Sequence, residues 1–378
     1  MGEISTTNFC IITHVPHGYE NSHYYAYAPY VREMNIWLKY CGTVDIVAPL
    51  GLKQKTAIDA DYVHDKIQFS GVKGFSFTSL NAAVKSVLDL PIIRFVIFNS
   101  MRKADHIHLR CPGNMGLLGC IIQVFFPKKK KTAKYAGNWD PKAAQPLSYR
   151  VQKWILNNTL LTKNMTVLVY GRWDESSTNI RPFFTATYRE QDKIPVAIRP
   201  LEGKIKFLFV GTLSKGKRPF YTIQLIEKLL KSEFDVSLDM YGEGKERQAL
   251  EEYISKENLN DAVRVLGNRD EATIRKAYQE SHFILLPSKS EGWPKVIAEA
   301  MFWGCMPIAS GVSCVPFMLD FGKRGLLLDI SLKEDAEKIA MILKAPQEYA
   351  SKVQESIGWS RQFTLDLFEK EIKSFLHQ

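Results

Sequence analysis

Several absences narrow what this chain of 378 residues can be. No apolar run reaches the roughly 18 residues that span a bilayer, so no membrane-crossing helix is expected. The start, Met1-Gly2-Glu3-Ile4-Ser5-Thr6, lacks a basic n-region and an apolar h-region, so secretion is not expected. It does match the loose Met-Gly-x-x-x-Ser/Thr myristoylation pattern, which is short and often met by chance. None of the six cysteines forms a Cys-x-x-Cys pair, and most stand among apolar neighbours, where a free thiol behaves as a small hydrophobe. A reducing, cytoplasmic setting follows. The eight histidines show no His-x-x-x-His or Cys/His spacing, which speaks against a structural zinc.

Positive features then divide the chain. Its length suggests two domains, since single cores rarely grow beyond about 250–300 residues. Charge is uneven. Residues 1–195 hold 24 Lys/Arg and 14 Asp/Glu, while residues 196–378 hold 26 of each. The basic half should favour anionic partners. In the second half, strands at 206–210, 236–241, 262–266, 282–286 and 306–309 alternate with helices at 218–231, 245–257, 271–280 and 294–303. That alternation predicts a doubly wound parallel sheet. The first half reads similarly but less regularly: strands at 9–13, 44–48, 105–110, 132–136 and 167–170, and helices at 24–40 and 115–126. The stretch 190–203, with two prolines and a glycine, reads as the linker. Domains are therefore expected at 1–195 and 196–361, with a last helix within 362–378.

The densest chemistry lies in Pro287-Ser288-Lys289-Ser290-Glu291-Gly292-Trp293-Pro294-Lys295-Val296-Ile297-Ala298-Glu299-Ala300. Apolar Phe283–Leu286 precedes it, so the segment reads strand, turn, helix. Pro294 suits the first helical position. The N–H groups and dipole of the first turn suit an anion such as phosphate. Glu291 and Glu299 lie within about a quarter-turn of one helix face. Acids beside a phosphate socket suit a sugar nucleotide. Upstream, Gly211-Thr212-Leu213-Ser214-Lys215-Gly216-Lys217-Arg218 joins a strand to a helix with three cations, which suits a diphosphate. Gly242-Glu243-Gly244 is a second strand-to-helix turn. Arg269, beyond Leu266, is of a type that stacks on bases. His106 and His108 share one face of a strand. Lys128–Lys131 follow the apolar Phe125-Phe126 and suit an anionic membrane surface.

The segment from Phe283 to Met301 resembles the E-x7-E signature of retaining glycosyltransferases of the GT-B fold, those of family four (group 1) type. The resemblance is clear over about residues 204–330 and architectural over 1–195. It implies two Rossmann-like domains facing across a cleft, an N-terminal one for the acceptor and a C-terminal one for the donor, with the last helix crossing back. It implies transfer of a sugar from a nucleotide-diphosphate sugar, UDP or GDP type, to a glycan or lipid-linked acceptor, as in bacterial surface polysaccharide or glycolipid synthesis. No cofactor, no metal and no nucleic acid are expected. The expected place is the cytoplasm or the inner face of the cell membrane. Lys217 falls on the family's lysine, whereas Thr212 stands where the family has arginine. Only Gly18 marks the N-terminal loop where the family has a glycine pair. The catalytic residues implied are Glu291, Lys217 and His108. Those implied for the donor are Gly211, Thr212, Arg218, Gly242, Leu266, Arg269, Gly292, Trp293, Pro294, Lys295, Val296 and Glu299. Alternatives are a sugar-nucleotide 2-epimerase of the same fold and a basic nucleic-acid-binding protein.

Overall fold

A computed structural model describes residues 7–52, 54–56, 58–73, 80–174 and 176–377. The myristoylation pattern at residues 1–6 lies outside them. The chain divides into two units, Met1–Phe184 with Phe368–Gln378, and Thr185–Leu367. The division thus falls eleven residues before the expected 195/196. Thr187 and Tyr188, on the expected N-terminal side of that boundary, bond to Glu299 and pack on Phe302 of the second unit. The expected linker is itself secured. Glu190–Asp192 form a short 3-10 turn, and Arg199 donates to the carbonyls of Gln279 and Gly304.

The first unit holds strands β1 (Asn8–Ile12), β2 (His17–Glu20), β3 (His23–Tyr27), β4 (Thr43–Leu52), β5 (Asp59–Asp61), β6 (Ile67–Val72), β7 (His106–Cys111), β8 (Lys130–Tyr135), β9 (Met165–Tyr170) and β10 (Ile180–Phe183). They run in the order β10-β9-β8-β7-β1-β4, with β6 also beside β4 and β2, β3 and β5 extending the edge. All the pairs from β10 to β4 are parallel. Helices α1 (Ala28–Leu38), α2 (Leu80–Lys103), α3 (Asn114–Ile122) and α4 (Leu147–Leu156) link them. Strands such as β1 are apolar on both sides because helices cover both faces.

The expected helix over 24–40 begins only at Ala28. Its first residues form β3, paired antiparallel with β2. Aromatic residues favour a pleated surface, and Pro29 in the first turn sets the helix start. Tyr25 and Tyr30 are buried in the core.

The second unit is a six-stranded, all-parallel sheet in the order β13-β12-β11-β14-β15-β16. These are β11 (Ile205–Val210), β12 (Val236–Tyr241), β13 (Val263–Gly267), β14 (Phe283–Leu286), β15 (Met306–Ser310) and β16 (Leu326–Leu328). Helices α5 (Pro219–Lys231), α6 (Arg247–Lys256), α7 (Glu271–Glu280), α8 (Lys295–Phe302), α9 (Val315–Met318), α10 (Leu332–Leu343) and α11 (Pro346–Ser360) flank it. One apolar cluster built on Phe207, Phe209, Leu238, Met240, Phe283 and Leu285 fills its core. Both units are Rossmann-like. The last helix, α12 (Leu365–His377), belongs to the first unit from Phe368 onward. There Phe368 packs on Phe183 and Phe184.

Candidate functional site

The strand order of the second sheet reverses between β11 and β14. In open parallel sheets the crevice beyond the carboxyl ends at such a point receives ligands. Two loops meet there, 211–218 after β11 and 287–294 after β14. The Lys289 N–H donates to the Gly216 carbonyl at 2.8 Å, and the Arg218 guanidinium to the Pro287 carbonyl at 3.0 Å. Lys217 Nζ stands 2.5 Å from Glu291 Oε1. Glu291 is nearly buried, with 8% of its side chain exposed, while Lys217 keeps 29%. A partly exposed cation is thus paired with a nearly buried acid at the crevice.

Glycines bring a third loop in. A Cβ on Gly242 would lie 1.9 Å from the Gly211 carbonyl oxygen, and one on Gly244 would lie 2.2 Å from that of Leu213. Gly242 also has φ +144°, which favours glycine. The close approach lets the Gly211 N–H reach the Tyr241 carbonyl, and the Leu213 N–H that of Glu243, both at 2.9 Å. The Gly242 N–H in turn bonds the Gly267 carbonyl at 3.0 Å. The ends of β11, β12 and β13 are therefore laced into one rim by main-chain bonds.

Helix α8 opens toward the same crevice, and no side chain caps it. Pro294 is its N-cap, with φ −72° and ψ 90°, not the first helical residue as expected. A φ of this value suits proline on either side of the boundary, so the sequence pattern starts the helix one residue too early. In its first turn the Ile297 N–H bonds back to the Pro294 carbonyl at 3.0 Å, and the start of a helix is a place where main-chain N–H groups and the helix dipole favour an anion. The Gly292 carbonyl receives the Cys314 thiol at 3.0 Å, which orients the turn. Glu299 accepts from Thr187 at 2.6 Å and from Tyr278 at 3.0 Å. Each carboxylate oxygen so engaged retains a lone pair.

The other expected donor residues divide by exposure. Thr212 and Arg269 are exposed; Gly211, Leu266, Lys295 and Val296 are half-buried around the rim. Trp293 is a correction. Its ring is buried, stacked 6.0 Å from Trp359 and set edge-on to Phe363 at 5.7 Å. It anchors the turn, and only its main chain can face a donor.

His108 is a second correction. It is wholly buried between Phe9 and Trp37, and its Nδ1 shares the Thr132 hydroxyl with His106 Nε2, each at 2.9 Å. Burial pushes the pKa of both rings down to about 3. A ring sealed in this way serves packing, and the implied contact with a transferred sugar is withdrawn. The alternation that put both histidines on one face also put that face inside.

Sequence reading missed a buried charge cluster in the first unit. Arg110 on β7 and Lys134 on β8 are register neighbours, and both grip Glu33 of α1, at 3.0 and 2.9 Å. Lys134 is 1% exposed. An acid between Arg32 and Met34 on an otherwise apolar helix face was the available signal. The first sheet reverses its order between β1 and β7, and the loops beyond them meet where Gly113 abuts His14. The lysine run is also corrected. Lys131 is buried against the Phe126 carbonyl, and Lys129 is tied to the carbonyls of Arg102 and Ala104. Only Lys128 and Lys130 are exposed. All six cysteines are free and buried.

The chain does contain one Asp-x-Asp tripeptide, Asp59-Ala60-Asp61. It forms β5, with Asp59 bonded to Thr56 and Asp61 to Lys55. Among the described residues, no three His, Cys, Asp or Glu side chains gather in a way that could hold a metal ion.

With this geometry in view, residues 190–357 match the family model for glycosyl transferases group 1. The match covers most of the second unit and less than half of the chain. A protein of the cps region of Klebsiella pneumoniae, uncharacterized and of 41.2 kDa, is 25% identical over 289 residues, covering 71% of this chain and 76% of that protein. The GtfA subunit of a UDP-N-acetylglucosamine–peptide N-acetylglucosaminyltransferase from Limosilactobacillus reuteri is 27% identical over 126 residues. That match covers 33% of this chain and only 23% of the subunit. Among solved structures, Anabaena HepE in complex with UDP and glucose superposes with a TM-score of 0.68 over 99% of this chain and 100% of HepE, at 14% identity. At that identity the likeness bears on the fold, which is that of the GT-B glycosyltransferases.

Proposed function

We propose that this chain is a group 1 glycosyl transferase that moves a sugar from a nucleotide-diphosphate sugar to a hydroxyl of a glycan or lipid-linked acceptor, with retention of anomeric configuration. The Lys217–Glu291 pair, seated where the second sheet reverses its order, carries this reading. A diphosphate entering the crevice would draw Lys217 from Glu291 and meet the first-turn N–H groups of α8. Charge stabilisation aimed at a leaving diphosphate is often the largest catalytic contribution, and it requires no metal. Arg218 holds the β14 loop through one N–H and has others to offer the phosphates. Lys215 would supply the cation missing at Thr212. Glu291 would then hold hydroxyls of the donor sugar, and Glu299 the ribose. The nucleotide proposed first is UDP, since it occurs in the name of the GtfA relative and with HepE.

A thermal-shift panel tests this directly, because a ligand that binds the native state raises its melting temperature. UDP and UDP-sugars should raise it, and Lys217→Ala should abolish the shift. Product analysis then separates transfer from epimerisation: sugar should move only when acceptor is supplied. Donor turnover without acceptor would favour the 2-epimerase reading. A salt-dependent DNA shift with no nucleotide response would favour the nucleic-acid reading.

A further inference from the structure

Helices α2, α3 and α4 pack side by side over the first sheet. Their outer surface is not the polar one expected of a solvated layer. On α2, Ile92 and Phe95 are 65% and 68% exposed, and Phe98 stands three residues further on. Steps of three residues drift by about 60° each, so the three form one stripe. Arg102 continues it. Phe125, 70% exposed just beyond α3, lies 6.5 Å from the Phe98 ring and extends the stripe sideways. On α4, Leu147 and Trp154 are two turns apart and also exposed. Scattered apolar residues need no explanation, but a stripe on α2 joined to the turn after α3, with more exposed apolar side chains on α4, does.

Charge settles what covers it. Residues 89–163, which include the exposed side chains named above, hold thirteen Lys/Arg and three Asp/Glu, with Arg110, Lys131 and Lys134 among the cations turned inward. That equals the whole net charge of the chain, +10. Arg94, Arg102, Lys103, Lys128 and Arg150 are exposed. Lys128, Lys130 and Lys163 line one open groove of about 510 Å³ at the amino ends of β8 and β9. Large apolar and aromatic side chains ringed by cations match the boundary between headgroups and acyl chains of an anionic bilayer. A second copy fits poorly, because the same cations would face one another. A nucleic acid would match the cations and leave the apolar stripes wet.

We infer that the outer layer α2–α3–α4 is a peripheral docking surface for an anionic lipid bilayer, with Ile92, Phe95, Phe125 and Trp154 entering the interface. This rests on the lipid-linked acceptor of the proposed function, yet it is tested apart from transfer. The full chain is floated with vesicles of phosphatidylglycerol and phosphatidylcholine, or of phosphatidylcholine alone. Binding is expected with the anionic vesicles only, falling as salt rises. Each cation near a membrane contributes on the order of 1 kcal/mol. The pair Lys128→Glu and Lys130→Glu should therefore lower partition by about tenfold or more. Phe95→Ser with Trp154→Ser should do likewise while melting temperature and donor binding hold. Trp154 fluorescence should shift to the blue on binding. Failure to float, equal binding to neutral vesicles, or a dimer that Phe95→Ser dissociates would each overturn the proposal. So would retardation of DNA by these residues without vesicle binding. Because UDP binding is read separately, loss of one result leaves the other standing.

Discussion

Both sheets reverse their strand order at the same topological place, between β1 and β7 in the first unit and between β11 and β14 in the second. Around the second, three loops are laced by main-chain bonds, and a half-exposed lysine faces an acid. Around the first, the strands carry buried histidines and a sealed Arg110–Glu33–Lys134 cluster. Outer surfaces differ as well. Among the described residues the second unit leaves Ile194, Phe321 and Met341 as its exposed large apolar side chains, while the first exposes many more and carries the excess charge. One winding thus supports two tasks. The second unit concentrates polar chemistry at strand ends, and the first invests its polar groups in its interior and its apolar groups in its surface.

Acid should break the comparison hardest. Burial lowers the pKa of His17 to about 4 and of His106 and His108 to about 3. These rings are neutral when folded, whereas unfolded imidazoles charge near 6.5. Their stabilisation is complete above about pH 6.5 and is lost progressively as pH falls from there to 4 and 3. The second unit has one histidine lowered by burial, His282. Segment-resolved hydrogen exchange, pulsed after incubation at pH 4.5, should show β1 and β7 opening before β11 and β14. The reverse order would contradict the contrast.

Glu33→Ala comes next. Removing one member of a buried ionic cluster costs about 3–5 kcal/mol, so denaturant unfolding of the first unit should shift strongly with donor binding intact. Lys217→Ala should do the opposite. A loss of roughly 10²–10³ in transfer rate is expected, the scale of removing one donor to a developing anion, with a melting temperature near wild type. Gly242→Ala forces a Cβ against the Gly211 carbonyl at a positive φ. It should cost about 1–3 kcal/mol and weaken UDP binding, measured by calorimetry. Arg269→Ala should have the smallest effect, because the side chain is exposed. A change under about threefold in UDP affinity is expected, within the ordinary span of a surface substitution.

Sequence revealed the second unit well because its signals are local. Each strand leads through a short turn into a helix, and 3.6-residue and glycine patterns place both. Thus α5 and α7 fall within a residue of where pattern puts them. The first unit hides its pattern. Aromatic residues 24–27 have the look of a helix face and pair as a strand edge, a tertiary choice that propensity does not announce. Helix α2 was not seen at all, since its exposed Ile92 and Phe95 blur the apolar period that marks a helix. His108 stood at a strand position that could equally face solvent or core, and only pairing of β7 with β1 and β8 decides which. Glu33 showed only as an acid on an apolar helix face, and its partners stayed hidden because they come from β7 and β8, about 80 and 100 residues away.

The claim at the centre is that Lys217, Glu291 and the start of α8 receive the diphosphate of a nucleotide sugar. Calorimetric titration of UDP and GDP into wild type and Lys217→Ala tests it most directly. The account predicts saturable binding of one nucleotide to wild type and at least a tenfold weaker affinity in the variant, about 1.4 kcal/mol. Equal affinity in the two proteins, or no nucleotide binding by either, would contradict it.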